Sequence, residues 1–141
     1  MARFWAQPLT RGGPDLPHHL NGSCLCGAVR FTVQAENRAT ACHCNQCRKQ
    51  SGSFWTSGQG SEASYDIKGD VRWFEASPIA KRGFCPTCGT FLFWKHHGED
   101  KMSFSLGTID GPTGLSLQRH IFTADKGDYY TIADGVPQRE D

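Results

Sequence analysis

The sequence predicts a mainly β fold of short antiparallel strands, and three observations lead there. Aromatic residues supply much of the potential core, with 9 Phe and 4 Trp against only 2 Met, and 16 Gly provide turns, a balance that suits pleated strands broken often. Short runs alternate apolar and polar residues, most clearly Val29, Phe31 and Val33, which is the period of a half-buried strand. All seven cysteines fall into three clusters, Cys24-x-Cys26, Cys42-x-Cys44-x-x-Cys47 and Cys85-x-x-Cys88. Thiols gathered this way point to metal ligation, so the small sheets are expected to be pinned by zinc.

A chain of 141 residues fits one domain and is long enough to bury a core. Its formal net charge of +1 argues against nucleic acid as a partner, and no apolar run is long enough for a membrane-spanning helix. Residues 1–20 lack the apolar stretch of a secretory leader. A reducing, cytoplasmic setting is therefore expected, where thiols bind metal or react rather than pair; the odd cysteine count agrees.

In chain order, residues 1–20 are rich in Pro and Gly without periodicity and read as an extension or arm, with His18-His19 in a loop. The domain is expected over 21–141. A first strand is expected over 28–34, then a loop at Glu36-Asn37-Arg38. The Cys42 cluster runs into a short helical turn stopped by Gly52. Strand-like runs follow at 53–57, 63–68 and 71–75, with a hairpin turn expected at Gly69-Asp70. A zinc knuckle at 85–90 precedes strands at 91–94 and 101–106, which flank a loop at 96–100. Everything after Asp110-Gly111-Pro112 reads as a polar tail.

The strongest local signal is Cys85-x-x-Cys88-Gly89. Two thiolates at this spacing clasp one Zn²⁺ at about 2.3 Å per bond, and the glycine permits the tight turn. Closing the tetrahedron needs two more ligands. Cys24 and Cys26 suit, because residues two apart in an extended segment project to the same side. A four-cysteine structural site of this kind would close a long loop and contribute directly to stability.

Cys42, Cys44 and Cys47 then hold a second ion with three thiolates. Three protein ligands and one open position form the pattern of a catalytic or substrate-binding zinc. Two alternatives stand beside it: a closed site completed by His43, His96, His97 or His120, and a redox pair drawn from the three thiols. His43 lies between two ligands, so its side chain is expected to point away from the ion.

The segments 22–31, 42–48 with Gly52, and 84–90 resemble the family of glutathione-dependent formaldehyde-activating enzymes, which also includes centromere protein V. His120-Ile121-Phe122, Asp128-Tyr129-Tyr130 and residues 134–138 extend the resemblance, which covers roughly 21–138. It implies a tent-like β fold of the Mss4-like kind and two zinc ions per chain. Cys24, Cys26, Cys85 and Cys88 would hold the structural ion, and Cys42, Cys44 and Cys47 the active-site ion. The implied reaction joins formaldehyde to glutathione as S-hydroxymethylglutathione, a carbon–sulfur lyase chemistry in reverse. Glutathione carries two carboxylates, so Arg48 is a candidate substrate contact beside the second zinc, and Phe54 and Trp55 are candidate walls. A non-catalytic zinc- or thiol-binding module is the alternative function, and exposed edge strands are compatible with a homodimer. A third possibility, an interaction protein, is disfavoured by the short, near-neutral segment 1–20.

Overall fold

Period-two burial organises the strands of the computed structural model, which describes residues 18–141. In β1 (His18–Ser23), Leu20 and Gly22 face inward; in β2 (Arg30–Ala35), Phe31, Val33 and Ala35 do. The two strands form an antiparallel pair with His18 opposite Ala35 and Ser23 opposite Arg30. Gly22 is required by packing, since a Cβ there would lie 2.4 Å from Cζ of Phe31, whose ring crosses the strand. The first strand thus begins at His18, ahead of the boundary expected at residue 21. A run with a single large apolar side chain carries too little periodicity to announce itself. Residues 1–17, the remainder of the expected arm, lie outside the described residues.

Further along the chain come β3 (Ala39–Cys42), α1 (Asn45–Ser51), β4 (Trp55–Ser61), β5 (Asp66–Lys68), β6 (Arg72–Glu75), β7 (Ala80–Phe84), β8 (Phe91–His96), β9 (Lys101–Ser105) and β10 (Leu117–Ile121). The main path of the sheet runs β1-β2-β4-β9-β8-β7-β6, with β5 on β2 and with β3 between β4 and β10. Among the described residues, every strand pairing is antiparallel except β3 with β10. The fold is mainly β, as expected, and the helix ends where expected. Gly52 sits at φ 89°, and its N–H donates to the Arg48 carbonyl at 2.8 Å, a left-handed cap that suits glycine.

Two expectations are corrected. Gly69-Asp70 does not join a hairpin: β5 pairs with β2 and β6 with β7. Gly69 is instead a point of close backbone approach, at φ 93° with the carbonyl oxygen of Ala28 2.1 Å from where a Cβ would stand. Gly69→Ala therefore meets both backbone strain and a carbonyl that cannot move aside, and should cost about 2–4 kcal/mol of stability, read as a lowered midpoint in urea unfolding. The polar tail is not a tail either. Its residues 117–121 form β10, and His120 donates its N–H to the Pro137 carbonyl at 2.8 Å and accepts from Arg139 N–H at 2.9 Å. A strand whose partner is remote in sequence, and which buries only His120 fully, leaves no local signature.

The core has two parts. Phe31, Val33, Leu92, Phe93, Met102 and Phe104 pack with Tyr65 and Trp73, Phe31 and Phe93 meeting edge-on at 5.0 Å. Trp55 and Phe91 form the second part, 4.5 Å apart. Each part has cysteines at its margin: Cys24 and Cys85 at the first, Cys42 and Cys47 at the second.

Candidate metal centres and adjoining cavity

Two glycine-bearing turns build the first centre. In the β1–β2 connection, Gly27 at φ 81° donates to the Cys24 carbonyl at 3.1 Å, and Val29 N–H points at the Cys24 sulfur from 3.2 Å. In the β7–β8 connection, Gly89, also at φ 81°, donates to the Cys85 carbonyl at 2.8 Å. Thr90 ties the turns together, its hydroxyl accepting from Leu25 N–H at 3.0 Å and lying 3.2 Å from the Cys88 sulfur. That hydroxyl is the largest of the influences that hold the Cys88 thiol down to about 5, so this ligand reaches its metal-binding form readily.

The sulfurs of Cys24, Cys26, Cys85 and Cys88 all lie within 4.8 Å of one another. Cys24 and Cys26 sulfurs are 3.7 Å apart, and those of Cys26 and Cys85 3.9 Å. A tetrahedral ion bonded to each sulfur at about 2.3 Å requires edges of about 3.8 Å. The donor set and its spacing therefore fit zinc.

The second cluster is placed by the junction of a strand and a helix. Cys42 ends β3, Cys44 is the N-cap of α1, and Cys47 lies in its first turn. The Cys44 sulfur accepts from Cys47 N–H at 3.4 Å, the capping contact that orients an N-cap side chain over the first turn. The three sulfurs also lie within 4.8 Å of one another, and among the described residues no His, Asp or Glu joins them. Hydrogen bonds from Cys42 and then Cys47 bring the Cys44 thiol down to about 2. The same contact with Cys44 pushes Cys42 up. Three thiols with one strongly favoured thiolate suit a soft divalent cation with a position to spare.

Arg82, from β7, is the member of this site that sequence reasoning missed. It is 5% exposed, and its two terminal nitrogens stand 3.7 and 3.6 Å from the Cys47 sulfur. Gln46 and Gln50 accept from it at 3.1 and 3.2 Å, and its guanidinium lies 5.4 Å from the Phe91 ring centre. Burying an arginine requires an anion and full hydrogen bonding; thiolate charge supplies the first and two amides from α1 the second. The available signal was Arg82 itself, a charged residue in a run expected only to lead into the knuckle.

His43 turns to the opposite side from its cysteine neighbours, as alternation requires. It is fully buried, with Nδ1 bonded to the Tyr130 hydroxyl and Nε2 2.9 Å from Nδ1 of His120. His120 Nε2 in turn lies 2.9 Å from the Asp134 carboxylate. With both imidazoles neutral and a carboxylate that only accepts, the chain has one direction: Tyr130 O–H to His43, His43 N–H to His120, His120 N–H to Asp134. Burial lowers the pKa of His43, in keeping with this neutral arrangement. Phe54 packs on the same side, its ring 4.8 Å from that of His43. His97 pairs with Glu75 at 2.7 Å, and His96 accepts from Gly98 N–H at 3.0 Å.

The cysteine trio opens into a cavity of about 340 Å³, within the range of small-molecule sites. Of the candidate substrate contacts, Trp55 lines it, while Phe54 and Arg48 do not. Arg48 bonds instead to Asn45 on the helix surface. Among the described residues, the cations that line the cavity are Arg38, Arg82 and Arg119, and no carboxylate does so. The four-cysteine centre lies outside this cavity.

Comparison with known proteins places the chain by family and by fold. The sequence matches the profile of the family described as glutathione-dependent formaldehyde-activating enzyme over residues 19–125. It is 27% identical over 116 residues to a Schizosaccharomyces pombe protein named as an uncharacterized lyase, covering 80% of this chain and 85% of that one. A crystal structure of a Rhodobacter sphaeroides protein shares the fold, with a TM-score of 0.57 and 23% identity, over 65% of this chain and 89% of that chain. With most of its length matched by the profile, the chain belongs to the glutathione-dependent formaldehyde-activating enzyme family.

Proposed function

We propose that the protein is a zinc-dependent, carbon–sulfur lyase-type enzyme that makes and breaks the adduct between a small thiol, of which glutathione is the expected example, and formaldehyde or a related aldehyde. The observation that carries this reading is the opening of the Cys42–Cys44–Cys47 cluster into a cavity, with no fourth ligand among the described residues. Four thiolates on Cys24, Cys26, Cys85 and Cys88 hold a second, structural ion, making two per chain. When bound at the trio, zinc supplies Lewis acidity that lowers the pKa of a substrate thiol or polarises a carbonyl.

The protein's own groups do the rest. Cys42, Cys44 and Cys47 present their sulfurs toward the cavity, and Arg82 keeps Cys47 oriented and its negative charge compensated. Trp55 and Ile121 give the cavity an apolar wall beside the trio, which excludes water from the adduct. In the forward direction the thiolate lone pair forms the C–S bond as the C=O π bond breaks. That electron pair moves onto oxygen, which takes up the proton the thiol released. The lyase direction is the reverse.

Exchange spectroscopy by NMR on glutathione–formaldehyde mixtures tests the reading against the spontaneous background. Zinc-loaded protein should raise the exchange rate between free thiol and S-hydroxymethyl adduct in proportion to its concentration, and metal-stripped protein should not. Exchange at the background rate with two zinc ions bound would overturn the enzyme and leave a thiol- or zinc-binding module.

A further inference from the structure

Among the described residues, Phe122 alone of the non-glycines holds a left-handed backbone, at φ 56° and ψ 39°. A bulky side chain is disfavoured there, because its Cβ crowds the following carbonyl. The chain on both sides enforces it. Before Phe122, the Ile121 carbonyl accepts from His43 N–H at 3.0 Å and the His120 carbonyl from Arg139 N–H at 2.9 Å. After it, Thr123 N–H donates to the Arg139 carbonyl at 3.0 Å and Asp125 N–H to the Phe122 carbonyl at 3.1 Å. Strain that surrounding bonds over-determine in this way gathers at ligand clamps and active sites.

Core packing does not account for an aromatic ring at this position. Phe122 belongs to neither part of the core and remains 38% exposed, while glycine or asparagine would take the same backbone with less strain. What the ring does line is the cavity. Ile79, from the β6–β7 connection, lines it too and is 58% exposed. Its backbone is fixed, the carbonyl accepting from His97 N–H at 2.8 Å. A side chain that lines a cavity and stays open to solvent stands at the mouth. Two large apolar groups on anchored backbone therefore border the entrance, and the less exposed Trp94 and Ile121 extend the apolar lining.

We propose that Phe122 and Ile79 are specificity-determining residues that clasp an apolar substituent on the carbon added to the thiol, so that the aldehyde accepted carries an alkyl chain or ring where formaldehyde has only hydrogen. S-Hydroxymethylglutathione offers such a clasp little, since the peptide is amides and charges and its added carbon bears a hydroxyl. A longer aldehyde gives the mouth methylenes to remove from water, each of which favours binding. The inference deepens the proposed function and rests on the adduct lying in this cavity.

S-Alkylglutathiones test this, because the chain on sulfur stands where the aldehyde carbon would, the thiol part stays constant and a thioether does not turn over. Affinities of the S-methyl, S-propyl and S-pentyl compounds are measured by isothermal titration on zinc-loaded wild type, Phe122→Gly and Ile79→Ser, each of verified zinc content. Wild type should tighten by about threefold to fourfold per methylene. Both variants should lose most of that gain while binding the S-methyl compound as wild type does. Phe122→Gly should also melt at or above the wild-type temperature, since glycine relieves the left-handed backbone; a lower temperature would assign the ring to folding and overturn the proposal. Equal affinities along the series on wild type would overturn it too, as would a gain that survives in both variants. The exchange assay separates this result from the parent reading. A chain-length preference without accelerated exchange keeps the clasp and removes the enzyme. Accelerated exchange of the formaldehyde adduct with no chain-length preference keeps the enzyme and removes the clasp.

Discussion

Replacing Cys85 by serine is expected to unfold the protein. Cys85 is fully buried, and its sulfur stands 3.9 Å from that of Cys26 at the far end of the β1–β2 connection. Losing it breaks the clasp between segments 59 residues apart in sequence. Structural four-ligand zinc contributes an apparent 10–16 kcal/mol, roughly, to small metal-folded units, against a total stability of about 5–15 kcal/mol for an ordinary domain. Even a fraction of the first quantity consumes most of the second. The expected result is loss of the cooperative thermal transition by circular dichroism, with bound zinc falling from about two ions per chain to about one or fewer. Unchanged melting with unchanged zinc content would remove the four-cysteine assignment.

Cys44→Ser should have an equally large effect of a different kind, on chemistry and not on folding. Serine is itself among the best N-cap residues, so the start of α1 keeps an acceptor for Cys47 N–H, and the change in stability should stay within about 1 kcal/mol. The trio, however, loses the thiol on which its negative charge concentrates, and two sulfurs remain where three stood. Elemental analysis should show about one zinc per chain in place of two, and the NMR exchange rate should return to the spontaneous background. If the variant instead unfolds, the second centre is structural and the proposed function falls with it.

The two substitutions differ because of where each cluster sits in the fold. The first joins two turns that share few other bonds, Leu25 to Thr90 among them. The second rests on a strand end and a helix already held by backbone hydrogen bonds, by Gly52 at the cap and by packing of Trp55 on Phe91. Metal at the first site would substitute for packing; at the second it would be carried by packing.

The sequence by itself determined the grouping of the cysteines, the strand of Phe31 and Val33, the glycine stop at Gly52 and the mainly β class. Each of these is a local matter: ligand spacing, period-two alternation and a left-handed backbone are properties of a few adjacent residues. It also determined that His43 would face away from its flanking cysteines, for the same alternating reason. Only the tertiary structure decided what surrounds the trio. Arg82 arrives from β7, Arg119 and His120 from a parallel strand, and Tyr130 and Asp134 from the segment that read as a polar tail; His43 and His120 alone are 77 residues apart. Arg48, close in sequence to the trio, drew the expectation of a substrate contact, yet the helix turns it toward Asn45 and the cavity takes its charges from Arg38, Arg82 and Arg119. Non-local pairing of this kind is set by which faces must be buried together and which charges must be compensated, and no window of adjacent residues carries that information.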